Sequence, residues 1–133
     1  MGLADFWQGL IVSLHKTYKI MTDKSPDYFK RILTDIYRCV HPFSLAIIHT
    51  KPKTRMGTYN PAKSHIRIND GWGGDEQCIE TAIHEYAHHI HYTEKGRKAR
   101  GEKPHGKQFW QIYGQLMMIA KQKGYYTHFD VIL

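Results

Sequence analysis

The chain has 133 residues, which suits a single domain, residues 1–133, with enough apolar surface to form a core without disulfide bonds. With 41% apolar and 23% charged residues, the composition is that of a folded globular protein and excludes a disordered chain. The formal net charge of +7 favours contact with polyanions such as nucleic acid, but it equally describes a solvated basic surface.

The first forty residues carry the spacing of two amphipathic helices. Apolar side chains recur every three or four positions, first at Phe6, Leu10, Leu14 and Tyr18, and then at Phe29, Ile32, Leu33, Ile36, Tyr37 and Val40. Between the two segments, residues 22–27 have the composition of a turn. There, Ser25 is suited to cap the second helix and Pro26 to be its first residue.

Residues 43–70 change to a β pattern. Strands are predicted at residues 43–50, 54–59 and 65–69, the last two of which are joined by a turn. In the third strand, Ile66 and Ile68 alternate with polar residues, as expected for a strand with one buried face. We therefore expect a small three-stranded antiparallel sheet.

Two further helices follow the sheet. A glycine-rich break precedes Asp75, which is suited to cap a helix that runs to about Tyr92. A loop rich in Gly, Lys and Arg spans residues 93–104, and a last helix runs from about His105 to about Gly124. The sequence thus predicts an α+β fold with N-terminal helices, the sheet and two C-terminal helices.

The first of these C-terminal helices contains the sequence His84-Glu85-Tyr86-Ala87-His88, an HExxH motif. Residues four apart lie one turn along a helix and about 40° around it, so both imidazoles can reach one ion. Neutral imidazole suits Zn²⁺, and a carboxylate at Glu85 could take the proton of a metal-bound water and deliver it to a leaving amine. Only roughly 0.03 accidental matches are expected in a chain of this composition, which favours a metal site over two surface histidines.

A third ligand is not determined by the motif, and the downstream candidates are His91, Glu94, Glu102 and His105. We favour His105, because a glycine-rich loop can reverse the chain before it and the helix that it opens has Phe109 on its core-facing side. Glu102 is the main alternative, since glutamate is an equally suitable third ligand. His89 and His91 point about 100° and 60° away from His88, so we expect neither to bind the metal.

The strand at residues 65–69, directly before the motif helix, is a candidate for substrate binding. If it lies at an edge of the sheet, its residues Ile66, Arg67 and Ile68 could pair with an extended peptide and hold the scissile carbonyl near the metal. If it is an ordinary sheet strand, it has no such role. Candidates for stabilising the oxyanion are Tyr59, Tyr86 and Tyr113, among which the sequence does not choose.

Cys39 and Cys78 are far apart and form no CxxC pair, which excludes a disulfide framework and a cysteine-ligated zinc ribbon. The first residues lack the basic region and the cleavage site of a signal peptide. No apolar run approaches the roughly 20 residues that a membrane span needs. We expect a cytoplasmic protein without membrane contact.

Together these motifs resemble the SprT-like zinc metallopeptidases, the group that includes the Spartan proteases. The resemblance covers roughly residues 57–113, and the segments that carry it are Gly57-Thr58-Tyr59-Asn60, Ile66-Arg67-Ile68-Asn69, the HExxH motif and His105-Gly106-Lys107-Gln108-Phe109-Trp110. It implies a minimal zincin-like fold in which His84, His88 and His105 bind one zinc ion and Glu85 is the catalytic acid and base. Family members often carry a C-terminal zinc ribbon, for which this chain has too few cysteines.

The function that this reasoning predicts is zinc-dependent hydrolysis of peptide bonds in a protein or peptide substrate. The alternative is a non-catalytic zinc-containing module that binds nucleic acid through its basic surface. A third possibility is hydrolysis of some other amide. A carboxylate beside the metal separates the first hypothesis from the second, because a binding module does not need one.

Overall fold

A computed structural model of the chain describes residues 22–49, 55–71 and 73–127. Within these ranges there are four helices and three strands, which confirms the α+β class. The helices are α1 (Pro26–Ile36), α2 (Asp75–Thr93), α3 (Arg97–Arg100) and α4 (Lys107–Gln122), and the strands are β1 (Ser44–Ile48), β2 (Gly57–Asn60) and β3 (His65–Asn69). The first of the two predicted N-terminal helices lies outside the described residues.

Helix α1 begins where the sequence predicts. Ser25 is its N-cap, and the Ser25 hydroxyl accepts a hydrogen bond from the backbone N–H of Tyr28. Pro26 follows as the first helical residue, where its fixed φ angle suits the helix and no N–H is needed. The apolar face of α1 is buried, and its members are Phe29, Ile32, Leu33 and Ile36.

The sheet is mixed, so the prediction of an antiparallel sheet is wrong. β2 and β3 form the expected antiparallel hairpin, with Thr58 opposite Arg67. β1, however, pairs in parallel with β3, with Leu45 opposite Ile66. The reason is the strand order β1-β3-β2: the chain passes from β1 to the far edge and the hairpin then inserts β3 between the two earlier strands.

The same order makes β3 the central strand, so of the two possibilities left open for it, an edge or an ordinary sheet strand, the structure has the second. Ile66 and Ile68 are completely buried, as expected for the apolar face of a strand with neighbours on both sides. Arg67 is exposed and its backbone is paired with strands on both sides. A peptide therefore has no free edge of β3 with which to pair.

Helix α2 is the central helix of the fold. It packs against β2 and β3 on one side and against α1 and α4 on the others. Its buried residues include Ile83 and Tyr86, which join the core formed by Phe29 of α1 and Phe109 of α4. Because α2 has neighbours on several sides, even polar residues of this helix lie inside the protein.

His89 shows the consequence, because its ring is completely buried and links three segments. Its Nε2 lies 2.9 Å from the backbone oxygen of His41, and a carbonyl only accepts, so Nε2 carries the proton. Burial lowers the pKa of His89, and in the neutral ring Nδ1 is the acceptor for the Tyr59 hydroxyl at 2.7 Å. This histidine thereby fixes β2 and the segment before β1 to α2.

The region after α2 contains one element that the sequence pattern does not reveal. The predicted loop at residues 93–104 includes the short helix α3, which is bounded by Gly96 and Gly101, both in the left-handed conformation. Helix α4 begins after Gly106 and ends before Lys123, close to the predicted limits. None of the helices in the described ranges is long and apolar enough to cross a membrane.

Two glycine substitutions test this packing. A Cβ atom at Gly57 would lie 2.5 Å from Cγ2 of Thr81 and 2.9 Å from the backbone oxygen of Arg67. Because β2 must approach α2 this closely, we expect Gly57→Ala to lower the free energy of unfolding by about 1–3 kcal/mol. Urea unfolding followed by circular dichroism measures the change.

Gly114 provides the matched control. A Cβ atom there meets no other atom within 4 Å, and the residue lies inside α4. Gly114→Ala should raise the free energy of unfolding by about 0.5–1 kcal/mol, because alanine loses less backbone entropy in a helix. Equal effects of the two substitutions would contradict the close approach of β2 to α2.

Candidate metal centre

Helix α2 presents the two histidines of the HExxH motif to the same side. His84 and His88 are separated by one turn of the helix, and their ring centroids are 5.0 Å apart. Both side chains are partly buried. The helix therefore arranges two imidazoles so that they can reach a common ion, as the spacing predicts.

The segment between α3 and α4 brings a third histidine to this pair. Nε2 of His105 lies 3.2 Å from Nε2 of His84 and 3.0 Å from Nε2 of His88. One ligand atom from each of the three residues lies within 4.8 Å of the other two. Among the described residues, His84, His88 and His105 are the group with this geometry, and we call them the three-histidine cluster.

Burial keeps the two helical histidines in the form that binds metals. Desolvation lowers the pKa of His88 to about 3, with further lowering from the nearby His84 and His105 rings. The pKa of His84 is also lowered, again mainly by burial. Both rings are thus neutral at physiological pH, and a neutral imidazole offers a nitrogen lone pair to an ion.

Glu85 is buried and lines the same pocket as the three-histidine cluster. Its side chain is 6% exposed, and desolvation raises the pKa of Glu85 to about 7, although the charge of Arg55 acts in the opposite direction. A carboxyl group with a pKa near neutrality can both accept and release a proton under physiological conditions. Glu85 can therefore exchange a proton near neutral pH.

All four of these residues line one open pocket of about 700 Å³. Besides these four residues, β2 and the residues before it, further residues of α2 and Pro104 before α4 contribute to the lining. The lining also includes Gly57, Thr58, Tyr59, Arg97 and Tyr113. A chain passing through the pocket would therefore lie next to both the cluster and Glu85.

Aromatic rings from α4 support the cluster. Phe109 is completely buried and stacks on His88 with a centroid separation of 4.3 Å, and its centroid lies 5.0 Å from those of His84 and His105. Trp110 stacks on the outer ring, His105, at 5.9 Å and is 50% exposed. Trp110 lies five residues after His105, and nothing in the sequence pattern predicts this contact.

The other candidate ligands lie away from the cluster. Oε2 of Glu102 is 2.8 Å from Nε2 of His91, and Glu94 accepts a hydrogen bond from the Tyr37 hydroxyl at 2.6 Å. His89 and His91 are both completely buried. Of the downstream candidates, the structure thus brings His105 to the HExxH histidines and gives the others different partners.

Comparison with known protein families gives one finding that agrees with this geometry. The model of a family described as "SprT-like family" matches residues 27–128, which is more than three quarters of the chain. No curated protein and no solved structure matches the chain.

Substitution of the third histidine tests the cluster. Loss of a residue that only supports a metal ligand weakens metal binding by roughly 10–100-fold. We expect His105→Ala to weaken Zn²⁺ or Co²⁺ binding by more than this, because it removes a ligand itself. Competition with a chromogenic chelator measures the dissociation constant. His41→Ala removes an exposed histidine and is the control; similar losses in both variants would exclude His105 as a ligand.

The lowered pKa of His88 predicts a pH dependence of stability in metal-free protein. As pH falls below 6.5, the unfolded chain binds a proton at His88 while the folded chain does so only near pH 3, so stability is lost in this window. The slope per histidine is at most about 1.4 kcal/mol per pH unit. We expect His88→Gln to remove this contribution, as measured by urea unfolding in EDTA between pH 5 and 7.

Comparison between variants is essential in this experiment, because Glu85 contributes the opposite slope. Its raised pKa means that stability present at low pH is lost as pH rises from 4.5 through about 7. His41→Gln, at an exposed position, controls for the loss of any imidazole. Identical slopes for wild type and His88→Gln would show that His88 is not desolvated as described.

Proposed function

The chain belongs to the SprT-like family, and from this premise we propose that it is a zinc-dependent metallopeptidase that hydrolyses peptide bonds. The observation that carries the proposal is the convergence of three imidazole nitrogens next to a buried carboxyl group in an open pocket. We further propose that the arrangement of α2, α4 and the sheet is zincin-like. The proposed substrate is a protein or peptide.

The nitrogen spacing of the three-histidine cluster fits zinc. Nitrogen ligands at roughly 2.0–2.1 Å from a tetrahedral zinc ion lie about 3.3 Å from one another. The Nε2 atom of His105 lies at 3.2 Å and 3.0 Å from those of His84 and His88, close to this value, and ligand atoms of all three residues lie within 4.8 Å of one another. Three neutral imidazoles with one position left for water are also a typical ligand set of catalytic zinc.

Glu85 supplies the proton transfers of the proposed reaction. Zinc held by the three nitrogens would lower the pKa of a bound water toward 7. The Glu85 carboxylate takes a proton from the attacking water and later delivers it to the nitrogen of the leaving amine. Burial raises the pKa of Glu85 to about 7 in the metal-free protein, and the charge of a bound zinc ion would lower it toward the carboxylate form that accepts the proton.

The edge strand β2 is suited to hold an extended substrate. Within the described part of the sheet, β2 has a neighbour on one side only, and its residues Gly57, Thr58 and Tyr59 line the pocket of the cluster. A strand edge binds a peptide through main-chain hydrogen bonds. We therefore assign substrate alignment to β2, in place of the central residues Ile66, Arg67 and Ile68.

The position of Tyr113 favours it among the three candidate tyrosines for the oxyanion. Tyr86 is not among the residues that line the pocket, and the Tyr59 hydroxyl lies against His89, outside the three-histidine cluster. Tyr113 lines the pocket, and its ring centroid is 5.5 Å from that of His84. A hydroxyl at this wall can donate to the negative charge that develops on the scissile carbonyl.

The alternative function is nucleic-acid binding by a non-catalytic zinc module, which the net charge of +7 favours. The burial of Glu85 argues for catalysis instead. A carboxyl group that is 6% exposed is costly to desolvate, and a binding module has no use for it. Nucleic acid could still recruit a basic peptidase to its substrate, and this partner remains a proposal.

Replacement of Glu85 tests the proposal. We expect Glu85→Gln to retain metal and to lower the rate of peptide hydrolysis by about 10²–10⁴-fold, because the amide has the same shape but accepts no proton. The assay follows cleavage of a peptide library and of a denatured protein by mass spectrometry. Hydrolysis by Glu85→Gln at the wild-type rate would overturn the assigned role.

The control is Asp23→Asn, which removes an exposed carboxylate by the same isosteric change. Asp23 is not among the residues that line the pocket, so its substitution should leave the rate unchanged. Salt-dependent binding of DNA or RNA, without cleavage of any peptide by the zinc-loaded wild type, would favour the alternative function.

A further inference from the structure

The segment that carries His105 is fastened to α2 by a buried histidine outside the three-histidine cluster. The His91 ring is completely buried, and its Nε2 lies 2.8 Å from Oε2 of Glu102. A carboxylate only accepts hydrogen bonds, so Nε2 of His91 is the donor. This contact joins α2 to the chain three residues before His105.

Other bonds hold Glu102 in the orientation that His91 requires. Nη1 of Arg100 donates to Oε1 of Glu102 at 3.0 Å, and Nε of Arg97 donates to its backbone oxygen at 3.0 Å. Gly101, with a φ of 68°, turns the chain between α3 and Glu102. Both the side chain and the backbone of Glu102 are thus held in place before the chain reaches His105.

The contact from His91 to Glu102 runs beside the contact from His88 to His105. His88 and His91 are three residues apart on α2, and Glu102 and His105 are three residues apart on the facing segment. Each of the two pairs is in close contact, at 3.0 Å for the rings of the cluster and 2.8 Å for the hydrogen bond between His91 and Glu102. A movement of the segment that broke this hydrogen bond would also carry His105 away from His88.

We propose that His91 and Glu102 are positioning residues that hold His105 against α2 before metal binds and thereby set the affinity of the metal centre. The inference rests on the proposed role of the cluster as a metal site. His105 is itself exposed and precedes the first residue of α4, so its contacts with Phe109 and Trp110 leave the segment before it to be held by Glu102. Without the contact, ordering of this segment would oppose metal binding.

The experiment measures Zn²⁺ affinity of the full chain by competition with a chromogenic chelator. We expect Glu102→Ala to raise the dissociation constant about 10–100-fold, the usual effect of losing an outer partner of a metal ligand. Glu102→Gln should restore most of the affinity, because its amide oxygen still accepts from His91. Lys98→Ala, at an exposed position on α3, is the control and should leave the affinity unchanged.

A second background separates positioning from general stability and from direct ligation. In His105→Ala protein, Glu102→Ala should cause no further loss of affinity, because the residue that it positions is absent. Equal losses in both backgrounds would mean that Glu102 acts through overall stability, and would overturn the proposal. The proposal would also be overturned if Glu102→Gln and Glu102→Ala lost equal zinc affinity while His105→Ala lost none. That result would show that Glu102 is itself the metal ligand.

The readout is metal affinity, so it does not depend on peptidase activity. A protein that binds zinc through His105 and Glu102 as described but cleaves no peptide would overturn the proposed function and support this inference. Wild-type zinc affinity in Glu102→Ala, together with normal peptide hydrolysis, would overturn this inference and support the proposed function. If the wild type binds no zinc, both fail.

Discussion

The structure depends on the burial of a helix that carries several histidines. Helix α2 has the sheet on one side and other helices around it, so its polar side chains need partners inside the protein. His89 forms hydrogen bonds with Tyr59 of β2 and with the backbone before β1, and His91 forms one with Glu102. The helix that carries the HExxH motif therefore also fixes the strand and the segment that border the pocket.

The same burial produces the electrostatic properties of the site. Removal from water favours neutral forms, so it lowers the pKa values of His84 and His88 and raises that of Glu85. The first effect leaves nitrogen lone pairs for a metal, and the second gives a carboxyl group that can exchange protons at neutral pH. Burial of the histidines lowers the free energy of unfolding at acidic pH, and burial of Glu85 lowers it as the pH rises toward neutral. The buried site therefore makes the metal-free fold less stable.

Membership of the SprT-like family and the geometry of the site point in the same direction. The pocket combines the three-histidine cluster, Glu85 and the edge strand β2, and each of these has a separate part in the proposed peptide hydrolysis. The net charge of +7 is not needed for these parts, although Arg55 and Arg97 line the pocket. In the proposed function this charge would act mainly on the approach of substrates through long-range attraction.

By itself the sequence determines the features that depend on neighbouring residues: the start of α1 at Ser25 and Pro26, the limits of β3, and the placement of His84 and His88 on one side of α2. These follow from capping and from the helical repeat, which act over a few positions. Only the tertiary structure decides the parallel pairing of β1, the central place of β3, and which of His105 and Glu102 joins the motif. Those outcomes depend on contacts between segments far apart in the chain, and local spacing carries no information about them.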